Sequence, residues 1–263
     1  MSFEKLSLVY FSPTGTTRRT VQNIAAGIAL PLQEIDRTAV SSRKQPHHFS
    51  SKDLVVIALP VYGGRLPGIS NEFFAGITAD KTPAAIVAVY GNRHYDDALI
   101  ELKNCAIAAG FMPIAAGAFL GEHSYTGKVA ANRPDADDAT AGNSFGARFL
   151  QKAQAHASAT MDASGLVDVP GHFPYEKPVV NSRITPVAND NCIDCHTCVE
   201  GCPTEAIDRQ NPRLTDKDKC ISCCYCVKVC PNDARHMEDP RILATVNRLE
   251  TLFMTRREPE IFI

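Results

Sequence analysis

Tryptophan is absent from the 263 residues, and the first 191 hold a single cysteine, Cys105. No run of 18 consecutive apolar residues occurs, so the sequence offers no candidate membrane-spanning helix. The opening MSFEKLSLVYFS places Glu4 and Lys5 where a secretory signal needs an apolar stretch, and the chain is expected to be cytoplasmic and unanchored. An excess of one charge is also lacking. With 27 basic and 29 acidic residues the net charge is -2, which argues against a nucleic-acid-coating surface, and 44% apolar residues argue against a disordered chain. Neither nucleic acid nor membrane is expected as a partner. No G-x-G-x-x-G follows a predicted strand, so a nicotinamide site of the Rossmann type is not expected. No Ser-His-Asp or paired-carboxylate grouping marks a separate catalytic centre.

What the first 191 residues lack is concentrated afterwards: nine of the ten cysteines lie between Cys192 and Cys230. In a cytosolic chain such crowding points to metal rather than to disulfides. Cys192, Cys195, Cys198 and Cys202 follow the spacing C-x2-C-x2-C-x3-C and are closed by Pro203. Twenty-eight residues on, Cys220, Cys223, Cys226 and Cys230 repeat the same offsets and are closed by Pro231, which makes an internal repeat. Three thiolates at positions 1, 4 and 7 can wrap one cubane, while the fourth starts a new turn and reaches the other cluster. The predicted ligand sets are therefore Cys192, Cys195, Cys198 and Cys230 for one 4Fe-4S cluster, and Cys220, Cys223, Cys226 and Cys202 for the second. Zinc is the competing reading, but zinc knuckles contribute two cysteines each, not three plus one ending twice in Cys-Pro. Residues 188–239 resemble a bacterial two-cluster ferredoxin, a small α+β domain. Cys224 stands beside Cys223 where the first run has His196; it reads as a compact packed residue, with ligand ambiguity as the alternative. Cys105 falls on the apolar side of a predicted helix and reads as core.

Ahead of the cysteines, KLSLVYF, LQEID, DLVVIALP, PAAIVAVYG and FMPIAAGAFLG read as strands. Helical stretches follow the first loop and recur near 69–78, 95–110 and 136–160. This alternation predicts a parallel sheet covered on both faces. Thr38 to Lys52 is polar and reads as a loop with at most a short helix. Ligands of such sheets sit at the carboxyl ends of the strands, and three loops there carry candidate chemistry. In the first, Ser12, Thr14, Thr16 and Thr17 bring hydroxyls and Gly15 lets the backbone turn its N–H groups onto an anion at a helix N-terminus. An ordinary capped helix is the plainer reading of that loop alone. The second, Pro60-Val61-Tyr62-Gly63-Gly64-Arg65, and the third, Tyr90-Gly91-Asn92-Arg93-His94-Tyr95-Asp96, each set an aromatic beside glycine. Tyr62 with Tyr90 or Tyr95 is placed to flank a flat ring while glycine amides reach its polar edge. One such tyrosine would read as a surface aromatic; three convergent loops point to a site.

S-P-T-G-T-T with P-V-Y-G-G-R and Y-G-N-R resembles the FMN loops of flavodoxins, over residues 1–160. The whole chain is similar to the flavodoxin–ferredoxin fusion family. That resemblance implies a doubly wound, parallel, five-stranded α/β sheet of order 2-1-3-4-5. It implies FMN, with its phosphate on Ser12 to Thr17 and its isoalloxazine between the loops at 60–65 and 90–96. The organisation expected is a flavodoxin-like domain over 1–165, a linker over 166–187, a two-cluster domain over 188–239, and a helix and tail over 240–263. The linker carries four prolines between Gly165 and Asn189 and reads as extended chain laid over a surface. Ile242, Val246, Leu249 and Phe253 fall on one helical face, which is expected to dock back on the body. Arg65, Arg93 and His94 make the flavin loops more basic than flavodoxins usually are. Residues 121–135 form a long excursion after the fifth strand, expected over the flavin or against the cluster domain. The cluster domain has ten acidic and six basic residues, so basic loops could face it. The function expected is electron transfer between the clusters and FMN, to or from redox partner proteins such as a ferredoxin-type donor or acceptor. The alternative is an FMN-dependent reductase of a small molecule, a quinone or nitro compound, fed through the clusters. A regulatory redox sensor is the third reading.

Overall fold

The computed structural model describes residues 3–156, 165–180 and 183–263. The elements run β1 (Lys5–Tyr10), α1 (Thr16–Ala25), β2 (Leu32–Asp36), α2 (Val40–Arg43), β3 (His47–Phe49) and β4 (Asp53–Pro60). There follow α3 (Ser70–Phe74), β5 (Ile77–Ala79), β6 (Thr82–Tyr90), α4 (Ala98–Ala108), β7 (Phe111–Leu120) and α5 (Ala136–His156). The second half holds β8 (Val187–Ala188), α6 (Thr197–Glu200), α7 (Tyr225–Lys228), β9 (Arg235–His236), α8 (Pro240–Leu252) and β10 (Glu260–Phe262). The last four residues of the helix expected over 136–160 lie outside the described residues, as does part of the expected linker.

The main sheet has the order β10-β7-β6-β4-β1-β2, with β10 antiparallel to β7 and the other pairings parallel. This overturns the five-stranded, all-parallel sheet of order 2-1-3-4-5: there are six strands and the sheet is mixed. The cause is the C-terminal tail. Glu260 to Phe262 pair with Ala116 to Ala118 along the outer edge of β7, which would otherwise present unpaired N–H and C=O groups. The Tyr95 hydroxyl donates to Glu260 Oε2 at 2.7 Å and pins the strand. The polar segment 38–52 is also more ordered than expected, since it holds α2 and β3, and β3 pairs in parallel with β5.

Period-two alternation divides each central strand between two apolar layers. Leu6, Leu8, Leu54 and Val56 pack with Val21 and Ile24 of α1 and Phe145 and Phe149 of α5. Val9, Val55 and Ile57 pack with Leu99 and Leu102 of α4 on the opposite face, where Cys105 joins the edge of the core. With both faces covered, the open end of the sheet is the carboxyl edge.

The chain from 165 to 180 is strapped down rather than free. Val167 and Val169 are buried in the α4 layer. The Asp97 carboxylate accepts N–H groups of His172 at 2.9 Å, Glu176 at 2.8 Å and Lys177 at 3.3 Å. Burial alone would raise the Asp97 pKa, but these donors outweigh it and hold the carboxyl below its ordinary value.

Candidate cofactor sites

The loops after β1, β4, β6 and β7 surround a cavity of about 310 Å³ at the carboxyl edge. Thr14, Thr16 and Thr17 form one end of it. Gly15 precedes α1 with φ 78°, a left-handed conformation that costs glycine nothing, and a Cβ there would meet only open space. The first amides of α1 have no intrahelical acceptor and head the positive end of the helix dipole. Ser12 closes the turn, its Oγ accepting the Arg18 N–H at 3.0 Å.

Pro60, Val61, Tyr62 and Gly63 line a second wall, and Tyr90, Gly91 and Arg93 a third. Gly63 and Gly64 both have positive φ, and Tyr62 and Arg65 exchange backbone hydrogen bonds of 2.9 and 3.2 Å across them. That is a two-residue type I′ turn, the conformation a Gly-Gly pair favours. Not every residue expected at the cavity lines it. Arg65 turns away into a bidentate ion pair with Glu101, at 2.7 and 2.8 Å, and its guanidinium lies 4.2 Å from the centre of the Tyr175 ring. Gly64 packs against Asp96. The Asn92 amide donates to the carbonyls of Phe253 and Thr255 at 2.6 and 2.8 Å, anchoring the tail. Tyr95 holds β10, and Asp96 pairs with Arg93. The basic character expected of these loops is thus largely neutralised by Glu101 and Asp96.

A fourth wall was foreshadowed only as a long excursion. Gly121, Glu122, His123, Ser124 and Tyr125 line the cavity from the end of β7. His123 Nδ1 accepts the Tyr125 N–H at 3.1 Å, which leaves the proton of the neutral ring on Nε2. Burial, with Lys228 and Arg93 adding to it, lowers the His123 pKa to about 4, so the ring is neutral at pH 7.

The eight spaced cysteines divide between two narrow cavities. Cys192, Cys195, Cys198 and Cys230 line one, and Cys202, Cys220, Cys223 and Cys226 line the other, together with Cys224. Among the described residues no group of three or more His, Cys, Asp or Glu side chains closes tightly enough to hold one metal ion. Backbone N–H groups point at sulfur in both runs: Ala206 to Cys202 Sγ at 3.3 Å, Ala234 to Cys230 Sγ at 3.2 Å, and Ser222 to Cys220 Sγ at 3.4 Å. The 28-residue repeat is a repeat of backbone as well. Asp194, His196 and Glu205 have φ of 52°, 60° and 50°, and Ser222, Cys224 and Asp233, each twenty-eight residues on, have 53°, 61° and 50°. These left-handed residues turn the chain around each cavity, at a cost of about 1–2 kcal/mol apiece. Cys224 is therefore the turn residue of its run, buried, with Sγ 3.7 Å from the Ser222 carbonyl.

The two kinds of site share a wall. Ile221 and Ser222, between Cys220 and Cys223, line the 310 Å³ cavity, as do Ile242, Thr245 and Leu249 of α8. Burial pushes the Tyr62 phenol well above its ordinary value, and Cys223, Cys224 and Cys220 are near enough to act on it. The halves are tied by Arg43 Nη2 to the Pro203 carbonyl at 2.7 Å and by Lys228 to Glu122 at 2.6 Å. Thr126 and Lys128 hold Glu250 of α8 at 2.6 and 2.8 Å.

Residues 186–208 and 214–236 match the model of the 4Fe-4S binding domain family. No curated protein matches the chain. Among solved structures it is similar to a flavodoxin from the domain Archaea, at 15% identity and TM-score 0.39, covering 57% of this chain and 99% of that one. It is similar to the rubredoxin oxygen:oxidoreductase of the anaerobe Desulfovibrio gigas at 12% identity and TM-score 0.41, covering 60% of this chain but only 38% of that one. A flavodoxin, WrbA-like protein from Agrobacterium tumefaciens gives 16% identity, TM-score 0.39, and coverage of 58% and 99%. The stretch that matches the 4Fe-4S binding domain model thus lies after α5 and ahead of β10 of the six-stranded sheet. No helix among the described residues is long and apolar enough to cross a membrane.

Proposed function

We propose that the chain is an electron-transfer protein holding FMN in the 310 Å³ cavity and two 4Fe-4S clusters on its crossed cysteine sets, exchanging electrons with redox partner proteins. The observation that carries the reading is the shared wall: the Ile221–Ser222 segment, flanked by two candidate cluster ligands, is also a wall of the candidate flavin cavity.

The residues fit both groups. For FMN, Thr14, Thr16 and Thr17 with the first amides of α1 offer hydroxyl and N–H donors to a phosphate dianion. Tyr62, Tyr90 and Tyr125 offer aromatic surface. For the clusters, four of the spaced cysteines line each cavity and backbone amides already point at three of the sulfurs. FMN accepts two electrons and clusters one each, so their combination couples single-electron and paired-electron partners. The chain's own part is to orient and exclude. His123 stays neutral and presents its Nε2 proton, while Ile242 and Leu249 keep water from one side of the cavity. The Lys228–Glu122 tie holds the Cys220 run against it, and the Arg43 tie to Pro203 holds the chain after Cys202. Cluster loop and α8 both stand at the cavity, which favours the carrier over a small-molecule reductase.

The test is composition. Anaerobically reconstituted protein should contain about eight irons, eight acid-labile sulfides and one FMN per chain. Bound zinc without sulfide would contradict the cluster assignment, and absence of FMN the flavin assignment.

A further inference from the structure

One buried position of the internal repeat changes from apolar to charged. Ile207, five residues after Cys202, is 4% exposed in the small core of the cluster domain. Its counterpart five residues after Cys230 is Arg235, 3% exposed. An isoleucine position has been given a guanidinium. Arg235 Nη1 donates to Thr215 Oγ1 at 2.7 Å and to the Pro186 carbonyl at 3.4 Å, and Nη2 donates to the Pro212 carbonyl. These acceptors are neutral, and the guanidinium also lies within hydrogen-bonding reach of the Cys198 thiol.

A buried cation held only by neutral acceptors is costly unless negative charge lies nearby. Here the candidates are the cysteines. Arg235 lines the cavity ringed by Cys192, Cys195, Cys198 and Cys230. Cys198 of that set, and Cys220 and Cys226 of the other, lie near enough for its charge to act on them. A cluster with four thiolate ligands is net negative and gains one more negative charge on reduction. A fixed cation lining the Cys192 cavity therefore stabilises the reduced form more than the oxidised one.

We propose that Arg235 is a redox-tuning residue that raises the reduction potentials of the clusters, that of the Cys192 set most. The proposal rests on the cluster assignment above. The step it affects is a one-electron reduction in which no bond forms or breaks.

The test is an anaerobic potentiometric titration of the full chain with dithionite, followed by paramagnetic resonance, with iron and sulfide measured on each sample. Arg235→Gln keeps neutral donors and loses the charge, Arg235→Ile copies the first repeat, and Arg235→Lys keeps the charge. At the wild-type midpoint, the ratio of reduced to oxidised cluster should fall severalfold in the Gln and Ile variants, more for the Cys192 set. In the Lys variant it should stay near wild type. An unchanged ratio in a fully loaded Gln or Ile variant would overturn the proposal. Loss of iron in both neutral variants with retention in the Lys variant would again assign the role to charge. Loss in all three would make Arg235 a structural strut and overturn it. Wild-type protein without iron and sulfide would instead fail the cluster assignment on which the proposal stands.

Discussion

Gly91→Ala tests whether the loop at 121–125 is a wall of the flavin site. A Cβ built on Gly91 stands 2.5 Å from His123 Cδ2, 2.9 Å from Cγ and 3.0 Å from Cα. The ring cannot simply swing aside, because Nδ1 is bound to the Tyr125 amide and the ring meets the Tyr125 ring edge-on at 5.5 Å between centroids. The loop must move. Overpacking of this kind costs about 1–3 kcal/mol. If that cost falls on the bound form, at tenfold per 1.4 kcal/mol FMN should bind about 5- to 150-fold more weakly. Titration of the apoprotein with FMN, read by quenching of flavin fluorescence, measures this. His123→Ala removes Cγ and Cδ2 and leaves only the 3.0 Å contact, so the double variant should regain most of the lost affinity. Unchanged binding in Gly91→Ala, or a double variant as weak as the two single losses added, would refute the reasoning.

Ligand crossing gives a second prediction: Cys202→Ala should cost the cluster on Cys220, Cys223 and Cys226 and spare the other, as read from paramagnetic spectra of reduced protein. Cys224→Ala should retain both clusters, whereas loss of one would make Cys224 a ligand. A third concerns the strap. Asp97→Asn keeps the shape but loses the charge on which three N–H groups converge, and should destabilise the protein by about 1–3 kcal/mol at pH 7 in urea unfolding. Because the Asp97 pKa is lowered by folding, its contribution is complete above the ordinary value of 3.8 and shrinks as pH falls below it. The difference between wild type and Asp97→Asn should shrink over the same range; a constant difference would contradict the assignment.

Much of this was legible because it is periodic or strictly spaced. The cysteine offsets define two complete runs, and the cysteines of both line two separate cavities. Strand and helix periods placed the three loops at the carboxyl edge, since sheet burial on both faces leaves a strong apolar signal. Long-range side-chain partners leave no such trace. Asn92 binds carbonyls of Phe253 and Thr255, and Arg65 binds Glu101, so two residues that looked like cofactor contacts serve as anchors. β10 is three residues long, too short to show alternation, and its pairing depends on the free edge of β7. His123 and Tyr125 sat in a polar excursion with no motif; their place one loop beyond the end of β7 was the only available signal. The left-handed turn at Cys224 was hidden because cysteine carries none of the usual preference for that conformation, although its register with His196 was visible.

The central claim, that the clusters feed the flavin within one chain, is tested most directly by anaerobic stopped-flow reduction of the fully loaded protein by a reduced ferredoxin-type donor, with Cys202→Ala beside it. The account predicts that cluster bleaching precedes flavin reduction, that flavin reduction proceeds at a rate independent of protein concentration, and that it slows by orders of magnitude when the Cys220-run cluster is missing. Equal rates of flavin reduction in the two proteins would contradict it.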